Sequence, residues 1–154
     1  MNPVTAAHVH LLLSHAPVAA IFFGFGLLAY GVWRGSRDLP KAALALFVAA
    51  AVLAVPSYLT GEPGAGMIKG LPGVSDRIME QHQAAAGVTL AGCVVLGIVA
   101  LAGLIVFRGK TVARWFGVAL LAGALLAGGL MTWTANLGGQ IRHSEIRAPQ
   151  AGTE

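Results

Sequence analysis

The sequence predicts an all-α integral membrane protein, a four-helix bundle whose two ends lie on the same side of the bilayer. Three observations carry this prediction. Charged residues make up 10% of the chain and the apolar fraction is 56%, whereas a soluble domain carries roughly a quarter of its residues charged. The apolar residues fall into four runs, each near or above the ~20 residues that cross a hydrocarbon core. Basic residues gather in two short connections between those runs. The 154 residues form one domain, and the runs are too long for barrel strands. Helices therefore satisfy the backbone inside lipid.

The first run covers residues 8–33. No Lys or Arg precedes it and it continues past Ala19-Ala20, so it reads as a span rather than a cleaved leader. Pro17 removes a backbone N–H and clashes with the carbonyl of Leu13, which predicts a kink below His15. The connection Arg34-Gly35-Ser36-Arg37-Asp38-Leu39-Pro40-Lys41 is short and basic, with Pro40 suited to the first turn of a helix. The second run covers residues 42–60. The following loop, residues 61–81, begins with Gly61, Pro63, Gly64, Gly66, Gly70, Pro72 and Gly73, a turn-rich composition. Ser75 or Asp76 is the expected N-cap of the third helix.

The third run, residues 82–107, carries Gly87, Gly92 and Gly97 at five-residue spacing. Small residues let transmembrane backbones approach closely, and they equally leave room for a flat macrocycle; packing is the expected use. Cys93 is the sole cysteine, so no internal disulfide forms, and a buried packing thiol is expected. After Arg108-Gly109-Lys110-Thr111 the fourth run covers residues 112–136 and carries Gly123 and Gly128. Gly138-Gly139 is expected to break this helix, leaving residues 137–154 as a tail.

Arg34, Arg37, Lys41, Arg108, Lys110 and Arg114 lie at the two short connections. The positive-inside rule makes those connections cytoplasmic and both termini periplasmic, in a multi-pass protein of a bacterial inner membrane. The opposite segments mix Lys69, Arg77, Arg142 and Arg147 with Glu62, Asp76, Glu80, Glu145 and Glu154. Tyr30, Trp33 and Trp115 belong at the inner interface, and Tyr58 and Trp133 at the outer. The net charge of +4 is thus a topology signal. With no basic stripe or aromatic interleaving, nucleic acid is excluded as a partner. Walker and Rossmann glycine signatures, CxxC and CxxCH are all absent from the sequence, which removes nucleotide, thiol-pair and covalent c-type haem chemistry.

All five histidines fall on the outer half. His8, His10 and His15 open the first span, His82 opens the third, and His143 follows the fourth. Glu62, Glu80, Asn136 and Gln140 stand at the same level. His15 lies about 10 Å inward of His8, where an imidazole needs a partner; the carbonyl of Leu13 freed by Pro17 is one. His8 and His15 share a helical face, with His10 about 160° from His8. Two neutral imidazoles from different helices are what a b-type haem iron takes as axial ligands. The leading expectation is haem b held by His15 and His82, with Asn136 and Arg142 against the cofactor. The alternative is a non-haem Cu, Fe or Zn site drawn from His8, His10, His15, Glu62, His82 and His143. A third is a non-catalytic subunit or assembly factor of a larger complex, with the polar groups as a hydrogen-bonded seam.

Three segments carry a resemblance that covers most of the chain: His8-Val9-His10-Leu11-Leu12-Leu13-Ser14-His15-Ala16-Pro17, Tyr58-Leu59-Thr60-Gly61-Glu62-Pro63, and Thr134-Ala135-Asn136-Leu137-Gly138-Gly139-Gln140-Ile141-Arg142-His143. In these the chain resembles an uncharacterised family of small bacterial four-span membrane proteins, similar in architecture to four-helix b-type cytochromes. The analogy implies membrane electron transfer, with a quinone or a periplasmic carrier as partner besides the lipid. Those cytochromes place histidines at both membrane levels for two haems. Here every histidine is on one half, so one haem is expected.

Overall fold

The computed structural model describes residues 5–147, and among these every regular element is helical. Helix α1 is Ala6–Arg34, α2 Leu39–Leu59, α3 Gly61–Ile68, α4 Asp76–Val106 and α5 Arg114–Gln140, followed by a single 3-10 turn at Ser144–Ile146. Residues 148–154 of the expected tail lie outside the described residues. Four helices are long and apolar enough to cross a membrane. At 1.5 Å per residue, the 29 residues of α1 extend about 43 Å, more than the ~30 Å hydrocarbon core, so its ends reach past the acyl chains.

The termini of the helices follow local chemistry. Thr5 caps α1 by accepting the His8 backbone N–H, and Ser75 caps α4 by accepting that of Ile78. Gly35, at φ 64°, closes α1 in the left-handed conformation that glycine adopts without cost. Pro40 sits in the first turn of α2. Two expectations are corrected. The glycine-rich start of the 61–81 loop forms a helix, α3, after a single break at Thr60. Residues Gly138 and Gly139 do not end the fourth span either, because α5 continues through both to Gln140.

The spans run up and down in the ring order α1, α2, α4, α5, each packing on the next and α5 closing on α1. Helices α1 and α4 therefore stand on a diagonal. The core is built from Ile21 and Leu28 of α1, Leu44, Phe47 and Ala50 of α2, Cys93, Leu96 and Ala100 of α4, and Leu120, Ala124 and Met131 of α5. Lipid tails are as apolar as these side chains, so close van der Waals packing holds the bundle rather than escape from water. A Cβ on Gly97 would overlap that of Ala51, and one on Gly24 would lie 2.7 Å from the Phe47 ring. A Cβ on Gly92 would meet Leu130, and one on Gly123 would meet Leu96, both at 3.3 Å. Neighbouring helices thus approach closely at these three glycines of α4 and α5. Thr89 and Thr134 join α4 to α5 through hydroxyls 2.8 Å apart.

The two ends of the bundle differ. At one, Arg37 donates to the Gly109 carbonyl at 2.7 Å and links the short basic connections. At the other, the Arg147 guanidinium spans the carbonyls of Gln140, Ile141 and Gly73, each at 2.8 Å. The Ser75 N–H adds a bond to the Ile141 carbonyl. These bonds satisfy the last carbonyls of α5 and tie them to the loop that leads into α4. Tyr30, Trp33 and Trp115 are exposed towards the arginine end, and Tyr58 and Trp133 towards the histidine end, the pattern of two interfacial belts.

Candidate functional site

At the histidine end two imidazoles meet across the diagonal. His10 of α1 and His82 of α4 have ring centres 6.4 Å apart and ring planes at 86°. Both rings are half-buried.

Each ring is positioned by a backbone carbonyl. The end of α2 at Leu59 leaves last-turn carbonyls without helical donors. The Ser57 carbonyl is one of them: the Thr60 hydroxyl donates to it and to the Pro56 carbonyl, which also accepts the Thr60 backbone N–H, and His10 Nδ1 lies 2.9 Å from the Ser57 oxygen. Gly61 lies beside the ring, where a Cβ would make an ordinary 3.4 Å contact with His10 Cε1. His82 Nδ1 lies 2.9 Å from the carbonyl oxygen of Thr134 on α5. Its ring rests on Gly138, where a Cβ would come within 3.1 Å of Cε1 and 3.3 Å of Nδ1. The glycine expected to break α5 instead provides the seat for His82.

A carbonyl only accepts, so Nδ1 is the protonated nitrogen in both rings. Nε2 of each ring then carries the lone pair, and among the described residues no hydrogen bond occupies it. Metal-bound histidines are held in this way, with one ring N–H donated to a carbonyl and the other nitrogen free to coordinate.

The other predicted site residues stand apart from this pair. His15 lies five residues after His10, a rotation of about 140° around the helix axis. It is exposed, and its Nδ1 contacts the Leu11 carbonyl oxygen at 2.6 Å rather than that of Leu13. The imidazole against His82 is that of His10, not that of His15. His8 is 2.7 Å from the Thr5 hydroxyl on the exposed side of the first turn. Glu62 and Glu80 are exposed on α3 and α4. His143 pairs with Glu145 at 2.7 Å, both side chains mostly in solvent. Asn136 is exposed on α5 and accepts a hydrogen bond from Gln140 at 2.5 Å, and Arg142 is also exposed. Among the described residues no three His, Cys, Asp or Glu side chains come together as a metal-binding group.

Sequence reasoning missed the groups that orient the two rings: the carbonyls of Ser57 and Thr134, the Thr60 hydroxyl, and the seat at Gly138. Thr60-Gly61 beside a helix end and Gly138 near the end of α5 were the available signals. The fold and site together define a multi-pass helical membrane protein with a histidine pair at one end. No protein-family model, curated protein or solved structure matches the chain.

Proposed function

We propose that His10 and His82 hold one metal centre, haem b foremost, and that the protein carries electrons at the periplasmic face of a bacterial inner membrane. The observation that carries this reading is the orientation of the two rings. They come from diagonal helices, each with Nδ1 engaged by a carbonyl and Nε2 left as a ligand.

The proximity of the two rings, with centres 6.4 Å apart, supports it. Two protein ligands alone also suit haem, because four-coordinate zinc and non-haem iron need further side chains. When bound, haem would supply a one-electron iron couple. The chain's part is to fix both rings, through Ser57 and Thr134, and to shield one side of the site with the bundle. Positioning at the periplasmic face rests on the concentration of arginine and lysine at the opposite end.

Purified protein is expected to show a Soret band that is lost in His10→Ala and in His82→Ala, and retained in His15→Ala. Two imidazoles also suit a copper(I) ion, and stoichiometric copper without porphyrin would select that centre. Colourless, metal-free protein in which both alanine variants only lose stability would leave the rings as a structural seam and end the proposal.

A further inference from the structure

A pocket of about 570 Å³ lies at the arginine end, between the last turn of α1 and the first turn of α5. Gly31, Pro40 and Val112 line it as buried apolar groups, whereas Trp33, Arg34 and Arg114 line it from exposed positions. The Arg37 bond to the Gly109 carbonyl ties together the two connections that contribute to it. Charge here is unbalanced. Six basic residues, Arg34, Arg37, Lys41, Arg108, Lys110 and Arg114, meet one acid, Asp38, at this end. Asp38 is not part of the pocket, and among the described residues no carboxylate pairs with Arg34 or Arg114. The Arg34 guanidinium instead stands 5.9 Å from the Trp33 ring centre.

Backbone donors add to the two guanidiniums. The N-cap of α5 is Ala113, which has no capping oxygen, and the first turn carries no acid. The Gly117 N–H is the first to reach back, to the Ala113 carbonyl, so those of Arg114, Trp115 and Phe116 have no acceptor among the described residues. Guanidinium forks and free N–H groups both match the oxygens of a phosphate. A free phosphate would meet the arginines and leave the apolar groups in water. A phospholipid satisfies both, its phosphate at the guanidiniums and its glycerol and first methylenes over Gly31, Pro40 and Val112. The depth agrees, because the exposed Trp33 and Trp115 put this level at the headgroups. A headgroup with its own ammonium brings a cation against the excess of arginine and lysine, which favours a net-negative one.

We infer that this pocket binds one anionic phospholipid, its phosphate held between Arg34 and Arg114. The site lies at the opposite end of the bundle from His10 and His82 and stands without the metal centre. The test titrates dioleoylphosphatidylglycerol or dioleoylphosphatidylcholine into the full chain in dodecylmaltoside and counts bound lipid by native mass spectrometry. One phosphatidylglycerol should bind about tenfold more tightly than phosphatidylcholine, or better. Arg34→Gln with Arg114→Gln should weaken it about a hundredfold, roughly tenfold for each charged hydrogen bond lost. Arg108→Gln with Lys110→Gln removes the same charge outside the pocket and should leave binding nearly unchanged. All four side chains are exposed and make no hydrogen bond among the described residues, so both double variants should keep the fold. Equal affinity for the two lipids, equal loss in both double variants, or undiminished binding without Arg34 and Arg114 would overturn the inference. Displacement of the lipid by millimolar inorganic phosphate would also overturn it, by making a soluble anion the occupant.

Discussion

Gly138 and Gly139 are consecutive residues of one helix, and replacing each with alanine should have opposite consequences. In a helix interior, alanine in place of glycine stabilises by roughly 1 kcal/mol because less backbone freedom is lost on folding. At Gly139 a Cβ would meet Ile146 Cδ1 at 3.5 Å, an ordinary contact, so Gly139→Ala should realise that gain. At Gly138 the same atom would lie 3.1 Å from His82 Cε1 and 3.3 Å from Nδ1. The ring must then withdraw from a bond to the Thr134 oxygen that is 2.9 Å long. Losing such a bond costs about 0.5–1.5 kcal/mol, and about 1–3 where the donor is left without a partner. Gly138→Ala should therefore be neutral to destabilising, and should fall below Gly139→Ala by about 1–3 kcal/mol. Unfolding by SDS in mixed micelles measures the difference, and 15N NMR of labelled histidine reports whether Nδ1 of His82 keeps its proton and its bond. Equal stabilisation by both alanines, with the His82 signal unchanged, would show that the ring does not rest on Gly138.

Gly97→Leu should separate α2 from α4, since a Cβ there overlaps Ala51; overpacking costs about 1–3 kcal/mol or more, visible as a lower midpoint in the same unfolding assay. Arg147→Ala frees the carbonyls of Gln140, Ile141 and Gly73, and should raise hydrogen exchange and protease cleavage around residues 141–147 while the spans stay protected. Thr89→Val removes the hydroxyl bonded to Thr134, and should cost about 0.6 kcal/mol, the usual size of an interhelical hydrogen bond in lipid. The Glu145 carboxyl is held below the usual carboxylate range, first by its own backbone N–H and then by His143. Its folded value is depressed, so any stabilisation is present above the unfolded value and disappears as pH falls through the folded one. Because the carboxyl is fully exposed, stability should not change across that range. A 13C titration of the carboxyl should show its midpoint rise in His143→Ala.

Much of the architecture was legible in the amino-acid order because hydropathy along a span is a local property. The apolar runs, the cap at Ser75 and Pro40 at the start of α2 each depend on a few neighbouring residues. The helix through Gly138-Gly139 was not legible from propensity, which treats paired glycines as weak helix formers. In place, α5 continues through both glycines, and the His82 ring packs where a Cβ at position 138 would stand.

By itself the sequence determined that four apolar helices exist and that imidazoles collect at one end, since length, hydropathy and residue position suffice for both. It also placed His10 and His15 on different faces of α1. Which of those faces turns towards the bundle was decided only by tertiary packing. In a soluble helix the polar face would mark the outside, but a span surrounded by lipid is apolar on every side and carries no such mark. The rotation of α1 follows from Gly24 against Phe47 and Gly64 against Ala7. That rotation turns His10 towards His82 and leaves His15 exposed on the outside of the bundle.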